Sequence, residues 1–380
     1  MNKVKNIWKR CKNFIGKCFH RRLFAKVFGK RTLYLAIVFA GLFLLCMGTN
    51  LYQNHIVSNL KDETVKERWT KENDYALVSV FFPQQEDSID ENTLIGTQHS
   101  IEQTLSDLSM TTSNPSQRLF VTNYYERGSM TLTRGENQVT VETMGIMEDF
   151  FLFHPAEFVS GNGLVTDGCM SDYVVLDEKT AFQLFGAIDV AGMSVTIQGS
   201  PHIVSGVVKN TEEKLLEEAG KPNQMIYASI QSLNSYGSTT GIACYELLCP
   251  EPYDGFALQT LQTVFDGYKD SAEFIDNSKR FEVAHEWKVL TSLRTRSMQT
   301  KAIVYPYWEN VSRHYENIFA IFLLFRGIVY ITLIIFVLIL VIIKWKHKLF
   351  TKEDIQNGFI RLIEKGREKR KMRRKEGKRL

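Results

Sequence analysis

The chain has 380 residues, 44% of them hydrophobic and 23% charged, with a net charge of +4. That length holds about two or three domains, and the ordinary average composition conceals a strong segregation. Thr32 to about Gln53 is nearly all apolar, and Gly327–Ile343 reads GIVYITLIIFVLILVII. Runs of roughly 17–22 residues cross a hydrocarbon core about 30 Å thick, which excludes a wholly soluble chain. A buried core helix is the competing reading for either run, and the basic residues flanking them argue against it. The first run follows a long basic arm and no small-x-small cleavage pattern succeeds it, so an anchor is expected rather than a signal peptide.

Charge sets the expected topology. Residues 1–31 carry about eleven Lys and Arg and no acid, and 344–380 carry about fifteen against about five acids. The part between is therefore left with about −17. Basic flanks stay on the cytoplasmic side, so both termini are expected inside and the acidic middle outside. In the arm, Ile7, Trp8, Cys11, Phe14, Ile15, Cys18 and Phe19 recur at helical spacing opposite Lys and Arg. That pattern fits a helix at the inner membrane interface among anionic head groups; calmodulin-like or nucleic-acid partners are weaker readings beside a span.

In chain order, Asn54–Trp69 reads as a polar helical stalk, Ala76–Phe82 as a buried strand and Asp90–Leu108 as a helix. LFVTNYYE from Leu119, then SMTLTR and QVTVETMGI, read as strands, the last two forming a hairpin around Gly135-Glu136-Asn137. The aromatic stretch Phe150–Phe153 is most simply core. The run from Asp172 to Val208 is a compact αβ module. A strand from Tyr173 leads to a helix that Asp177 caps and Gly186 ends, after Phe185 on its apolar face. Gly192 and Gly199 occupy turns, and Gln198-Gly199-Ser200-Pro201 reverses the chain into a strand containing Gly206. Further on, Thr211–Ala219 reads as a short acidic helix, Gln224–Ile230 and Ile242–Leu248 as strands, and Gly255–Phe265 as a helix. A strand around Phe281–Ala284 precedes a long helix from about Val289, which is interrupted at Pro306 and leads into the second apolar run. The expected class is α+β with mixed sheets between two transmembrane helices.

The chemistry of catalysis is missing. No GxxxxGK[ST], HExxH, GxSxG or CxxC occurs, and His99, His154, His202 and His285 are scattered singles. A zinc site assembled from them in space is a weak alternative, so neither enzyme activity nor a cofactor is expected. Glu148 and Asp149 read as a solvated turn. Cys169, Cys244 and Cys249 allow at most one bridge outside, with buried free thiols the simpler reading. Arg326 interrupts an apolar stretch, either as an outer-interface anchor or in a role inside the membrane. Lys344 and Trp345 mark the inner end of the second run, and the basic tail beyond suits anionic lipid better than nucleic acid.

DYVVLDEKTAFQLFG (Asp172–Gly186), DVAG (Asp189–Gly192), VTIQG (Val195–Gly199) and IVSGVV (Ile203–Val208) resemble the periplasmic core domain of MacB-type ABC-transporter permeases. That mechanotransmission class includes FtsX-like permeases, and FFLFHPAEFVSGNGL (Phe150–Leu164) resembles its preceding segment. Such permeases carry three further spans after the domain, whereas one follows here, a shortened two-span form. The resemblance implies transfer of motion to an external domain, with an ABC ATPase as a separate chain and a full-length permease as a further partner. Homo- or hetero-oligomers are both open. The layout expected is an arm (1–31), a first span (32–53) and a stalk (54–75), then the external domain (76–288). A second stalk (289–317), second span (318–343) and basic tail (344–380) complete it, in a cell-membrane protein. A non-transport receptor or envelope scaffold that binds through the external domain is the competing function, and an extracellular enzyme has nothing in its favour.

Overall fold

A computed structural model describes residues 30–71, 74–84, 89, 91–112, 117–164, 172–296 and 301–346. The amphipathic arm with Trp8, Cys169 and the basic tail lie outside the described residues. The chain forms two units, residues 1–50 with 324–380, and Leu51–Leu323.

Helix α1 (Lys30–Asn59) leads through a 3₁₀ turn (Lys61–Glu63) to α2 (Val65–Trp69) and strand β1 (Tyr75–Phe81). After α3 (Glu91–Asp107), β2 (Val121–Arg134) and β3 (Asn137–Ile146) form a hairpin closed by Gly135-Glu136. Then follow α4 (Phe150–Phe153), β4 (Phe158–Gly161), β5 (Tyr173–Asp177), α5 (Glu178–Phe185), β6 (Ser194–Ile197) and β7 (Ser200–Val208). The rest of the body is α6 (Lys214–Glu218), β8 (Met225–Ser229), α7 (Ile230–Tyr236), β9 (Ser238–Pro250), α8 (Phe256–Val264), β10 (Glu273–Asp276) and α9 (Val283–Arg296). Helix α10 (Tyr307–Lys346) begins directly after Pro306.

The described strands form one mixed sheet in the order β10-β1-β9-β2-β3-β8-β5-β7-β4, with β6 pairing β2 and β7. The period of two sorts its two faces. Ala76, Val78 and Val80 pack with Leu94, Ile101, Leu105 and Phe256, while Phe81 packs with Tyr125, Phe150 and Trp308. Cys244 and Cys249 fall into these two different clusters as buried free thiols. Two readings need correction. The segments LFVTNYYE and SMTLTR are one strand, β2, which bulges against β9 near Glu126 and Gly128 instead of breaking. Phe281–Ala284 is not a strand; the edge strand is Glu273–Asp276, and helix α9 starts already at Val283, because Val283, Trp287 and Leu290 follow a helical period.

The αβ module packs Val174, Leu176, Ala181, Leu184, Val195, Ile197, Val204 and Val207 into a core shared with Leu132 of β2, Val141 of β3 and Ile226 of β8. Asp177 accepts from the Thr180 N–H at 2.8 Å, and Gly186 closes α5 at φ +70°. The β6–β7 hairpin turns on Gln198 and Gly199, at φ +44° and +85°. Both turn residues being left-handed is the geometry that matches the twist of a two-residue hairpin.

In the other unit, the faces of both long helices are apolar and exposed, including Leu35, Ile37, Leu44, Ile331, Ile334, Leu338 and Ile342. Windows at Tyr34–Asn59 and Tyr307–Ile342 are long and apolar enough to cross a membrane, and few of their residues are buried. A soluble core helix would be covered by protein; these present their apolar surface as lipid-facing helices do. Phe39 and Phe336 meet at 4.6 Å between ring centroids. Helix α10, at 40 residues, rises about 60 Å, twice what a span requires.

A Cβ at Gly206 would lie 2.2 Å from the Asn162 carbonyl oxygen, whereas at Gly199 the space is open and the left-handed φ is the obstacle. Gly199→Val is therefore expected to cost about 1–2 kcal/mol, and Gly206→Val more, because backbone must move. Thermal unfolding of the purified variants checks both; an unchanged Tm for Gly206→Val would contradict the β7 packing.

Candidate functional site

The residues that join the helices to the body are polar, buried and drawn from remote parts of the chain. The 3₁₀ turn after α1 presents Asp62 and Glu63 side by side, and each reaches a different buried cation.

Glu63 accepts from Arg280 Nη1 at 2.9 Å and from Ser312 Oγ of α10 at 2.6 Å. Arg280, almost wholly buried, also grips the Glu309 carboxylate with both terminal nitrogens, at 2.8 and 2.5 Å. Its Nε donates to Glu316 Oε1 at 2.6 Å. Arg313 Nε donates to Glu309 at 2.6 Å and its Nη2 to Glu273 of β10 at 2.9 Å, while the guanidinium lies 3.8 Å over the Tyr305 ring. Arg296 of α9 pairs with the second oxygen of Glu316. A planar fork with five N–H donors suits this multiple grip, and a lysine could not reproduce it. Burial pushes the Glu63 carboxyl up, against the pull of Arg280.

The second cation is His154, just beyond α4. Its Nδ1 faces Asp62 Oδ1 at 2.8 Å and its Nε2 faces Glu246 Oε2 of β9 at 2.9 Å. With a carboxylate at each nitrogen, the ring donates twice and is an imidazolium. Burial opposes the charge, but Glu246 and Asp62 outweigh it and hold the pKa at about 9, above the ordinary 6.5. Trp308 of α10 covers the ring at 4.1 Å between centroids.

The two centres are linked through the sheet. Ser79 Oγ of β1 donates to Glu246 at 3.3 Å, Asn277 Nδ2 donates to Ser79 at 2.7 Å, and Asn277 Oδ1 accepts from Arg280 at 3.2 Å. The path Asp62–His154–Glu246–Ser79–Asn277–Arg280–Glu63 is a closed ring, with Asn123 of β2 adding a bond to Glu246 at 2.7 Å. Beside His154 a cleft of about 590 Å³ opens, lined among others by Asp62, Lys209, Lys221, Tyr307 and Trp308. Burial pushes the Lys221 ammonium down; it lies 5.5 Å over the Tyr307 ring.

The residues singled out in the sequence lie elsewhere. The Asp172 carbonyl accepts from Ile203 N at 2.8 Å, and Gly192 N donates to the Val204 carbonyl at 2.8 Å. Phe185 lies 4.2 Å beneath the Arg134 guanidinium. With Asp177, Gly186, Gly199 and Gly206 they hold the αβ module together. Arg326, in the other unit, is buried and donates to Asn50 of α1. Lys344 and Trp345 fall in the last turns of α10, and their side chains lie outside the described residues. Asp149 forms a two-pronged pair with Arg118 at 2.7 Å. Of the scattered histidines, His99 is exposed on α3, His202 bonds Ser232 at 2.7 Å and His285 lies 3.4 Å from Glu316. Among the described residues no cluster of three or more His, Cys, Asp and Glu is placed to hold a metal ion. The junction had a signal in the sequence: Glu309, Ser312, Arg313 and Glu316 recur at i, i+3, i+4 and i+7, a polar stripe directly before an apolar run.

An αβ body joined at both ends to helices of membrane-crossing length defines a membrane protein with one extracytoplasmic domain. Residues 65–247 match the family model described as the MacB-like periplasmic core domain. Residues 65–247 thus carry a MacB-like periplasmic core domain, and the resemblance carried by Asp172–Val208 is borne out. The extracellular domain of the noncanonic ABC-type transporter YknZ from Gram-positive bacteria is similar at 14% identity and a TM-score of 0.36, over 52% of this chain and 99% of that one. The periplasmic region of MacB from Actinobacillus actinomycetemcomitans is similar at 16% identity and a TM-score of 0.37, over 59% of this chain and 94% of its own. Likenesses at this level carry no further argument. No curated protein matches the chain.

Arg280→Met leaves several buried carboxylates without their cation and is expected to cost about 3–5 kcal/mol in stability. Chemical denaturation in detergent measures it; a loss within error of zero would show that the cluster is solvated. The His154 pKa lies above its unfolded value, so its stabilising contribution is full below about pH 6.5 and is lost as pH rises through about 9. Wild-type Tm is expected to fall across that window relative to His154→Gln, and parallel pH profiles would contradict the clamp.

Proposed function

We propose that the chain is a permease-like membrane subunit of an ABC transporter whose ATPase is a separate chain. On this reading it moves an external domain on behalf of an extracytoplasmic substrate. The observation that carries it is the buried ring, in which the turn after α1, the start of α10 and three sheet strands share one charged network. A body fastened at one loose point would absorb a movement of its helices. Fastened to both through a desolvated cluster, it rotates with them, as in lever-like rigid-body transitions. The match of residues 65–247 to the MacB-like periplasmic core domain supports the same reading.

The proposed arrangement places 1–31 and 344–380 in the cytoplasm, spans at 32–53 and 318–343, stalks at 54–75 and 289–317, and the domain 76–288 outside. The basic ends would bind anionic lipid and lie within reach of the ATPase or of a full-length permease. On this reading the protein performs no covalent chemistry.

Purification from mild detergent, with the tag at either end in turn, is expected to bring down an ATPase and a second permease. Recovery of the protein alone from both preparations would contradict the proposal. Deletion of 351–380 is expected to abolish transport-dependent function, where a passive scaffold would keep it.

A further inference from the structure

We infer that α9 is a membrane-surface helix, which lays Val283 and Trp287 into the outer-leaflet headgroup region. This rests on the reading of the apolar runs as spans and not on the ATPase.

Three observations point there. First, both ends of α9 are held at the border of the apolar runs. Glu286 accepts from Gln53 Nε2 at 2.5 Å, and Gln53 is where the first run closes. Ten residues on, Arg296 pairs with Glu316 and reaches Asn317 Oδ1 at 3.4 Å, directly before the second run resumes at Ile318. A rigid helix of 14 residues, about 21 Å long, that is fixed at this level near both ends lies along the border and does not rise from it.

Second, the face turned away from the body exposes large apolar side chains among its polar ones. Glu286 and Val289 are buried against the body. Val283 and Trp287 are 66% and 61% exposed, and with half-buried Leu290 and exposed Arg294 they share one stripe at i, i+4, i+7 and i+11. An indole with that exposure is costly in water and is favoured among headgroups, where the ring is buried and its N–H stays hydrated.

Third, the charge fits the occupant. Lys288 and Arg294 are exposed on α9, next to a body that is acidic overall. Cations on this helix pair with the phosphodiesters of anionic lipid, and their stems cover the neighbouring apolar surface.

The test places the full-length protein in nanodiscs of phosphatidylcholine with phosphatidylglycerol, with the acyl chains either plain or brominated near the carbonyl. The chain has five tryptophans, so the emission of wild type minus that of Trp287→Phe isolates the one in question. Bromination is expected to quench this difference signal at least twofold, and Lys288→Glu with Arg294→Glu to lower that quenching in the anionic discs. A difference signal equally bright in both lipids places Trp287 in water or under a protein partner and overturns the inference. Trp287→Phe changes an exposed ring, so an altered Tm is not expected, and the ATPase co-purification result is independent of either outcome.

Discussion

The structure of the body turns on one buried guanidinium. Arg280 is cut off from water, and its charge has to be answered by protein. The groups that answer it come from the turn after α1, from Asn277 beside β10 and from two positions of α10, Glu309 and Glu316. Removing any of these contributors leaves a buried charge or a buried dipole without its partner. Assembly of the sheet edge and of both helix ends therefore becomes one event. Apolar residues of similar volume could fill the same space at equal or better stability. What they would not provide is a fixed geometry, because apolar contacts slide where forked hydrogen bonds do not.

The αβ module was legible in the sequence because its determinants are local. Asp177 and Gly186 bracket a helix eight residues long, and the β6–β7 turn needs just Gln198 and Gly199. The long apolar runs were legible by composition alone. The junction was not, because its partners are distant: Glu63 and Arg280 lie 217 positions apart, and His154 meets Glu246 across 92. Each looks like an ordinary surface residue in its own neighbourhood. The polar stripe of Glu309, Ser312, Arg313 and Glu316 could have been noticed, but nothing local says what it faces. The misplaced edge strand has a related cause. Glu273–Asp276 carries two acids in four residues and becomes a strand through pairing with β1, so its tendency is tertiary.

On the proposed reading, in which the external domain is moved, a polar junction and an apolar spring have different consequences. The closed path through His154, Glu246, Ser79, Asn277 and Arg280 passes through β1 and β9, next to each other in the sheet. Displacement of either helix end is thereby felt by the sheet and not by a loop. Helix α9 adds a contact of another kind, since its ends are tied to the same two helices while its apolar stripe faces outward. A body fixed rigidly to the helices and resting on lipid through one amphipathic helix would tilt about that contact.

The central claim is that the helix ends and the sheet form one cooperative unit. Native-state hydrogen exchange on the full-length protein in detergent tests it directly. Amides in Lys61–Glu63 and in the first turns of α10 should open with the same free energy as those of β1 and β9, and should separate from them in Arg280→Met. If these segments exchange freely in the wild type while the sheet stays protected, the junction does not bind the helices to the body and the account is wrong.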